Sequence, residues 1–290
     1  MSRIEATHHS VEHDLLFRWA VESLFALGVQ LNHALSISQV VVRSCERTGS
    51  AQPLHRLASE LGRILDGSLS KGPDHELSRL SGNLLTTQIR NGHPVLALHD
   101  AVEFARQAAV EHRWGAVRVD GADFVDAPDT YLADTAKEGV AGLALVAGAA
   151  RWDAVRITAA FPEGKGGAEL FDVPVLLLLA RAEVFSAAFE GPGPGIAALL
   201  SEFLGMSLML AGDFWRVRPR CVQLLAADTE RFGASVSRFK LNLQQHGLVA
   251  CTSEGPMYAM SAKRMLPVDH ELRTLMQMWS RQLGVFDPFA

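Results

Sequence analysis

Asp120, Asp123, Asp126 and Asp129 recur through one stretch of about ten residues, interspersed with Gly, Ala and Pro. Oxygen ligands at such spacing could hold a hard cation, but no second ligand cluster accompanies them, so a solvated acidic loop is the reading taken. His8, His9 and His13 near the N-terminus could ligate a metal; a loose polar tail over Met1 to Glu12 accounts for them equally well. Cys45, Cys221 and Cys251 lie far apart, with neither metal spacing nor an even disulfide set, which fits a reducing cytoplasm. Glu163-Gly-Lys-Gly-Gly167 lacks the spacing of a phosphate-binding loop and reads as a hairpin turn. On the helix expected over Leu54 to Leu65 and its approach, His55 stands three residues beyond Gln52, on the same face. A histidine could exchange a proton there. The bland alternative is a pair of helix-surface residues. Glu202, on an otherwise apolar helix, needs a partner.

The elements that would position these residues follow from periodicity. Leu15, Leu16, Trp19, Ala20, Leu24 and Phe25 mark a first helix closed by Gly28. Ala34 to Cys45 is a second helix, and Leu54 to Leu65, ending near Gly67, a third. Lys71 to Gly92 is a polar connection with a short strand at Leu84 to Ile89. Ala101, Val102, Ala105, Ala108 and Ala109 form one helical stripe, and Gly115 to Val119 alternates as a strand. A helix over Tyr131 to Glu138, capped by Gly139, leads to an apolar strand at Val140 to Ala147. Strands are expected at Val155 to Phe161, Val173 to Leu179 and Val222 to Ala226. Helices are expected at Gly195 to Gly212, Thr229 to Leu243 and His270 to Leu283.

This frame carries a resemblance. Gly115-Ala-Val-Arg-Val-Asp-Gly-Ala-Asp-Phe124 matches the scaffold of a motif G-A-V-x-V-x-N-S-x-H-F-G, and Leu24-Phe-Ala-Leu-Gly-Val29 matches L-x-x-x-G-V. Arg47-Thr-Gly-Ser-Ala-Gln-Pro-Leu-His-Arg-Leu57 is an eroded R-G-x-x-S-H-G-x-x-R-L. Glu202, Leu204, Gly205, Leu208 and Gly212 keep a helical pattern, and Gly284-Val285 closes the last helix as the pattern requires. Over roughly residues 10 to 286 the chain resembles the malate/L-lactate/ureidoglycolate/sulfolactate dehydrogenase family, the non-Rossmann NAD(P)-dependent oxidoreductases. It is similar to a divergent member, shortened around Gly191-Pro-Gly-Pro-Gly195.

The resemblance implies an α/β fold like that of L-sulfolactate dehydrogenase. A central mixed sheet is flanked by helices, and a helical N-terminal part packs with the C-terminal helix. It implies a helical part over 1–92, a central cofactor-binding α/β domain over 93–220, and a C-terminal return over 221–290. It also implies a homodimer. The proton-donating histidine of the family falls on Gln52, and the aspartate that orients it falls on Leu178. The motif histidine of the second loop becomes Asp123, and the lysine position is Pro194. The arginine implied to bind the substrate carboxylate is kept as Arg56, and cofactor contact would fall on Phe124, Gly193 and Gly195. Glutamine has no proton to give near neutral pH, and leucine orients nothing.

Three functions follow as expectations. The first is a relative that lost hydride transfer, a pseudoenzyme binding a small carboxylate or a protein partner, or an enzyme without the cofactor. The second is a surviving NAD(P)H-dependent reductase of a 2-oxo acid or cyclic imine, with His55 or a desolvated Asp123 as proton donor. The third is a structural subunit of an intact paralogue. A net charge of -5 gives no electrostatic case for nucleic acid, and the longest apolar run, Val173 to Ala180, is too short to span a membrane.

Overall fold

The computed structural model describes residues 9–122, 128–147, 155–163, 167–174, 203–204, 220–245, 250–253 and 265–290. They fall into two compact units, one of residues 1–74, 91–96 and 257–290 and one of 75–90 and 97–256. These limits differ from those expected at 92 and 220. The segment 75–90 and everything from 221 to 256 group with the second unit, because their strands complete its sheet.

The first unit is helical. It contains α1 (His13–Ala26), α2 (Leu31–Thr48), α3 (Gln52–Leu65) and α7 (His270–Leu283), with a two-stranded ribbon of β1 (His9–Glu12) and β10 (Met265–Val268). Leu54, Leu57, Ala58, Leu61 and Ile64 line one face of α3 and are buried, so an i, i+3, i+4 stripe supplies the core. Leu272, Met276 and Trp279 of α7 pack with α1 and α3. The indole N–H of buried Trp19 on α1 donates to the Ser280 hydroxyl at 3.1 Å, so the apolar contact also satisfies its one polar atom. The N-terminal helices thus pack with the C-terminal helix, as the resemblance implied. The expected loose tail does not extend to Glu12: His9–Glu12 pairs antiparallel with β10, which satisfies its backbone groups.

The second unit holds a sheet of eight described strands in the order β2-β3-β4-β8-β5-β6-β7-β9. They are β2 (His75–Arg79), β3 (Leu84–Ile89), β4 (Trp114–Asp120), β5 (Val140–Ala147), β6 (Val155–Glu163), β7 (Gly167–Pro174), β8 (Cys221–Asp228) and β9 (Ala250–Ser253). Among the described strands only β3 and β4 pair in parallel, and α4 (Pro94–His112) is the crossover such a pair requires. A sheet so largely antiparallel is mixed and is not the doubly wound parallel sheet of a Rossmann domain.

Each sheet face has its own helices. On one face Leu143, Leu145, Ile157, Phe161 and Phe171 meet Phe203, together with Val236, Phe239 and Leu243 of α6 (Thr229–Gln245). The rings of Phe161, Phe171, Phe203 and Phe239 lie in edge or tilted contacts with centroids 5.4 to 6.4 Å apart. On the other face glycines let helices approach. A Cβ at Gly115 would lie 2.5 Å from the Ala105 carbonyl oxygen of α4. A Cβ at Gly142 would lie 2.9 Å from Leu132 of α5 (Pro128–Lys137).

Two strands depart from expectation. β2 was expected only as connection; its residues are mostly exposed and polar, and only pairing with β3 makes it a strand. The strand expected at Val173 to Leu179 instead begins at Gly167, and β6 and β7 form the predicted hairpin with Glu163 opposite Gly167. The rest of that apolar run, the expected trimmed segment and most of the helix expected at Gly195 to Gly212 lie outside the described residues. Among the described residues no helix is long and apolar enough to cross a membrane.

Candidate functional site

The first turns of α3 carry Gln52, His55 and Arg56, and each is placed by the way that helix begins. Ala51 precedes it without a side-chain cap, Gln52 is the first helical residue, and Pro53 follows where a missing N–H costs nothing. The Gln52 backbone N–H donates to the Ser50 hydroxyl at 3.2 Å, and its side chain is exposed. His55 and Arg56 are half-buried, three and four residues further on. Gln52 therefore stands one turn from His55 and from Arg56, which as consecutive residues do not face each other.

His55 has a partner that the sequence did not announce. Its Nε2 lies 2.8 Å from Oδ2 of Asp269. The other carboxylate oxygen of Asp269 accepts the Leu272 N–H, also at 2.8 Å, which caps α7. Burial works to raise the Asp269 pKa, but the Leu272 and His55 hydrogen bonds outweigh it and hold the carboxyl below its ordinary range. Asp269 therefore stays ionised and fixes the imidazole through one nitrogen. The readable signal was the cap, an Asp ahead of an amphipathic helix; nothing in the spacing tied it to His55, 214 residues away.

A second acid–histidine pair lies deeper in the same unit. Glu60, one turn beyond Arg56, and His93 are both buried, and His93 Nε2 is 3.0 Å from Glu60 Oε2. The Val95 N–H donates to His93 Nδ1 at 3.2 Å, so that nitrogen is unprotonated and Nε2–H donates to Glu60. Burial pushes the Glu60 carboxyl up, but its interaction with His93, followed by the charges of Arg56 and Arg63, holds it below the ordinary range. Sequence reading missed this pair, although an acid within the apolar stripe of α3 is itself a signal that a partner exists.

Other candidates resolve differently. Asp120 is paired with Arg118, whose Nε donates to it at 2.9 Å, so the first aspartate of the acidic stretch is not simply solvated. Asp123 and Asp126 lie outside the described residues, as do Phe124, Leu178, Gly193, Pro194, Gly195 and Glu202. His13 is buried with its Nε2 3.2 Å from Glu46. Among the described residues no three His, Cys, Asp or Glu side chains gather to hold a metal, and Cys45 and Cys221 are buried and unbridged. The structure thus joins His55 to Asp269 and places Gln52 and Arg56 on the same first turns of α3.

No family model matches the chain, and no curated protein matches it. Solved structures do. The malate dehydrogenase of Pyrococcus horikoshii superposes with a TM-score of 0.63 at 16% identity over 99% of each chain. The sulfolactate dehydrogenase of Methanocaldococcus jannaschii gives 0.61 at 14%, covering 96% of this chain and 98% of its own. The delta1-piperideine-2-carboxylate reductase of Pseudomonas syringae gives 0.52 at 14%, over 96% of each. The fold is therefore that of the malate and sulfolactate dehydrogenases, along nearly the whole chain.

Proposed function

We propose that this chain is a divergent malate/lactate dehydrogenase-like protein that has lost hydride transfer from NAD(P)H. In its place it binds a small carboxylate-bearing molecule or a protein partner, or works as an enzyme without that cofactor. The observation that carries the reading is Gln52 at the first position of α3 with Arg56 one turn on. The frame has an amide where reduction needs a proton donor, while the guanidinium suited to a carboxylate is present. The donor set at the start of α3 does not fit hydride chemistry at that position. A cytoplasmic homodimer belongs to the same proposal.

A second reading keeps the reductase. The His55–Asp269 hydrogen bond favours it, because an imidazole oriented by an ionised carboxylate can protonate a developing alkoxide. Asp123 is the other proton donor under this reading.

The test of the leading reading is titration with 2-oxobutanoate, observed by ligand NMR, for the wild type and for Arg56→Ala. Saturable binding weakened roughly tenfold by the substitution is expected, the size of a charge-assisted contact near solvent. Equal binding by both proteins, or binding by neither, overturns it.

A further inference from the structure

His93 caps a helix with a nitrogen that can take up a proton. It stands just before α4, whose first residue, Pro94, has no N–H to satisfy. The next N–H, that of Val95, donates to His93 Nδ1 at 3.2 Å, and the Leu96 N–H donates to the His93 carbonyl at 3.0 Å. The usual capping side chains accept through an oxygen, which keeps its lone pairs across the neutral pH range. An imidazole nitrogen accepts only while it carries no proton. We propose that His93 is a proton-sensitive cap of α4: neutral, it holds the Val95 N–H, and protonated on Nδ1 it releases that N–H while Glu60 keeps the ring in place. This is independent of what binds near Gln52 and Arg56.

The surroundings decide where the proton acts. Nε2 lies 3.0 Å from Glu60 Oε2 and donates to it in the neutral and the charged ring alike. The chain before the ring is also fixed. The Gly92 N–H donates to the Asp74 carbonyl at 3.2 Å, and a Cβ at Gly92 would lie 2.5 Å from the Asp74 backbone nitrogen. The Asn91 carbonyl accepts the Ser70 N–H at 2.8 Å. With ring and backbone held, a proton on Nδ1 turns an acceptor into a donor facing the donor of Val95. It also sets a cation at the positive end of α4. The first turn of α4 is the part left to give way. Glu60, His93 and Val95 all belong to the first unit.

The charged groups that bear on the ring are Glu60, in contact with it, and Arg56 and Arg63 of the same helix, which act on Glu60. Burial works to raise the Glu60 carboxyl, but its interaction with His93, then the two arginines, holds it below its ordinary range. Glu60 therefore stays ionised beside the ring and favours the imidazolium. Pro94 to Ala97 carry no charge. Arg90 is engaged by Glu76. Asp100, in the second turn of α4, lies 3.3 Å from His75 and 3.8 Å from His99.

The experiment is a pH titration of the full chain by NMR. It reads the ring nitrogens of His93 and the hydrogen-exchange protection of the Val95 amide, with the intrinsic pH dependence of exchange removed. Val95 protection should fall by roughly fivefold or more, the equivalent of one lost cap, with the midpoint of ring protonation. The Leu272 amide, capped by the ionised Asp269, should keep its protection over the same range. Glu60→Gln leaves an acceptor for Nε2–H but removes the charge that favours the imidazolium. It should move both midpoints together to about tenfold higher proton concentration, and leave Val95 protection within twofold at neutral pH. His93→Asn supplies a good cap that takes up no proton and should keep Val95 protection level throughout. Val95 protection that stays level while the wild-type ring protonates overturns the proposal. So does a ring that stays neutral until the chain unfolds in acid. Midpoints left in place by Glu60→Gln overturn the part given to Glu60.

Discussion

Replacing Glu60 by Ala leaves the Nε2–H of His93 buried with its charged acceptor removed. The pair is buried on both sides, with side chains 11% and 5% exposed, so solvent screening offers little relief. A hydrogen bond to a charged group contributes about 1.5–3 kcal/mol, and Glu60→Ala should lose that much, with lost packing in addition. Glu60→Gln retains an oxygen that can accept from Nε2–H and should cost about 1 kcal/mol or less. His93→Ala is the harsher change, because it strands a buried carboxylate; breaking such a pair from one side costs about 3–5 kcal/mol. It also removes the acceptor of the Val95 N–H. The double variant should cost less than the sum of the singles by about 1.5–3 kcal/mol. Urea denaturation of the four proteins at neutral pH measures the cycle. The pH dependence has a definite sign. Glu60 is held below its ordinary range, so its contribution is complete above the unfolded value and is lost as pH falls through the lower, folded value. A coupling near zero, or Glu60→Gln as costly as Glu60→Ala, would refute the account of the pair.

Three further outcomes follow from packing. Gly115→Ala places a methyl 2.5 Å from the Ala105 oxygen and the Ala108 Cβ, and should destabilise by about 1–3 kcal/mol in urea titration. A neutral effect would mean that α4 does not lie so close to β4. Phe203→Ala removes a fully buried ring 5.4 Å from that of Phe239 and should cost about 3–5 kcal/mol in the same assay. Asp269→Ala should cost about 1 kcal/mol through the lost cap of α7, with little more from the half-buried His55 contact. Asp269→Asn should stay close to wild type, and equal losses in the two variants would refute the capping role.

The helices and inner strands were legible because each has a period and a stop signal. α5 ends at Lys137, just before Gly139, whose φ of 86° suits glycine, and the apolar run from Val140 to Ala147 is the strand it suggests. β2 was illegible because four of its five residues are exposed and its pairing is non-local. β7 lies earlier than the apolar run at Val173 to Leu179 because it is set by pairing with β6, in which Glu163 stands opposite Gly167. In the site, Gln52 and Arg56 were found by motif and spacing on α3. Asp269 and His93 were not, since each meets its partner only after the chain has folded back, across 214 residues in one case and 33 in the other. Local pattern can mark a residue that needs a partner, such as an acid within an apolar stripe, but not which residue supplies it.

The central claim is that the dehydrogenase fold here outlived its hydride chemistry. Titration of the purified protein with NADH and with NADPH, followed by nicotinamide fluorescence, tests it most directly. The account predicts no saturable binding up to millimolar cofactor, the upper end of the range in which enzymes commonly use their substrates. Saturable binding at micromolar cofactor would contradict it and would point to the reductase that works through His55 and Asp269.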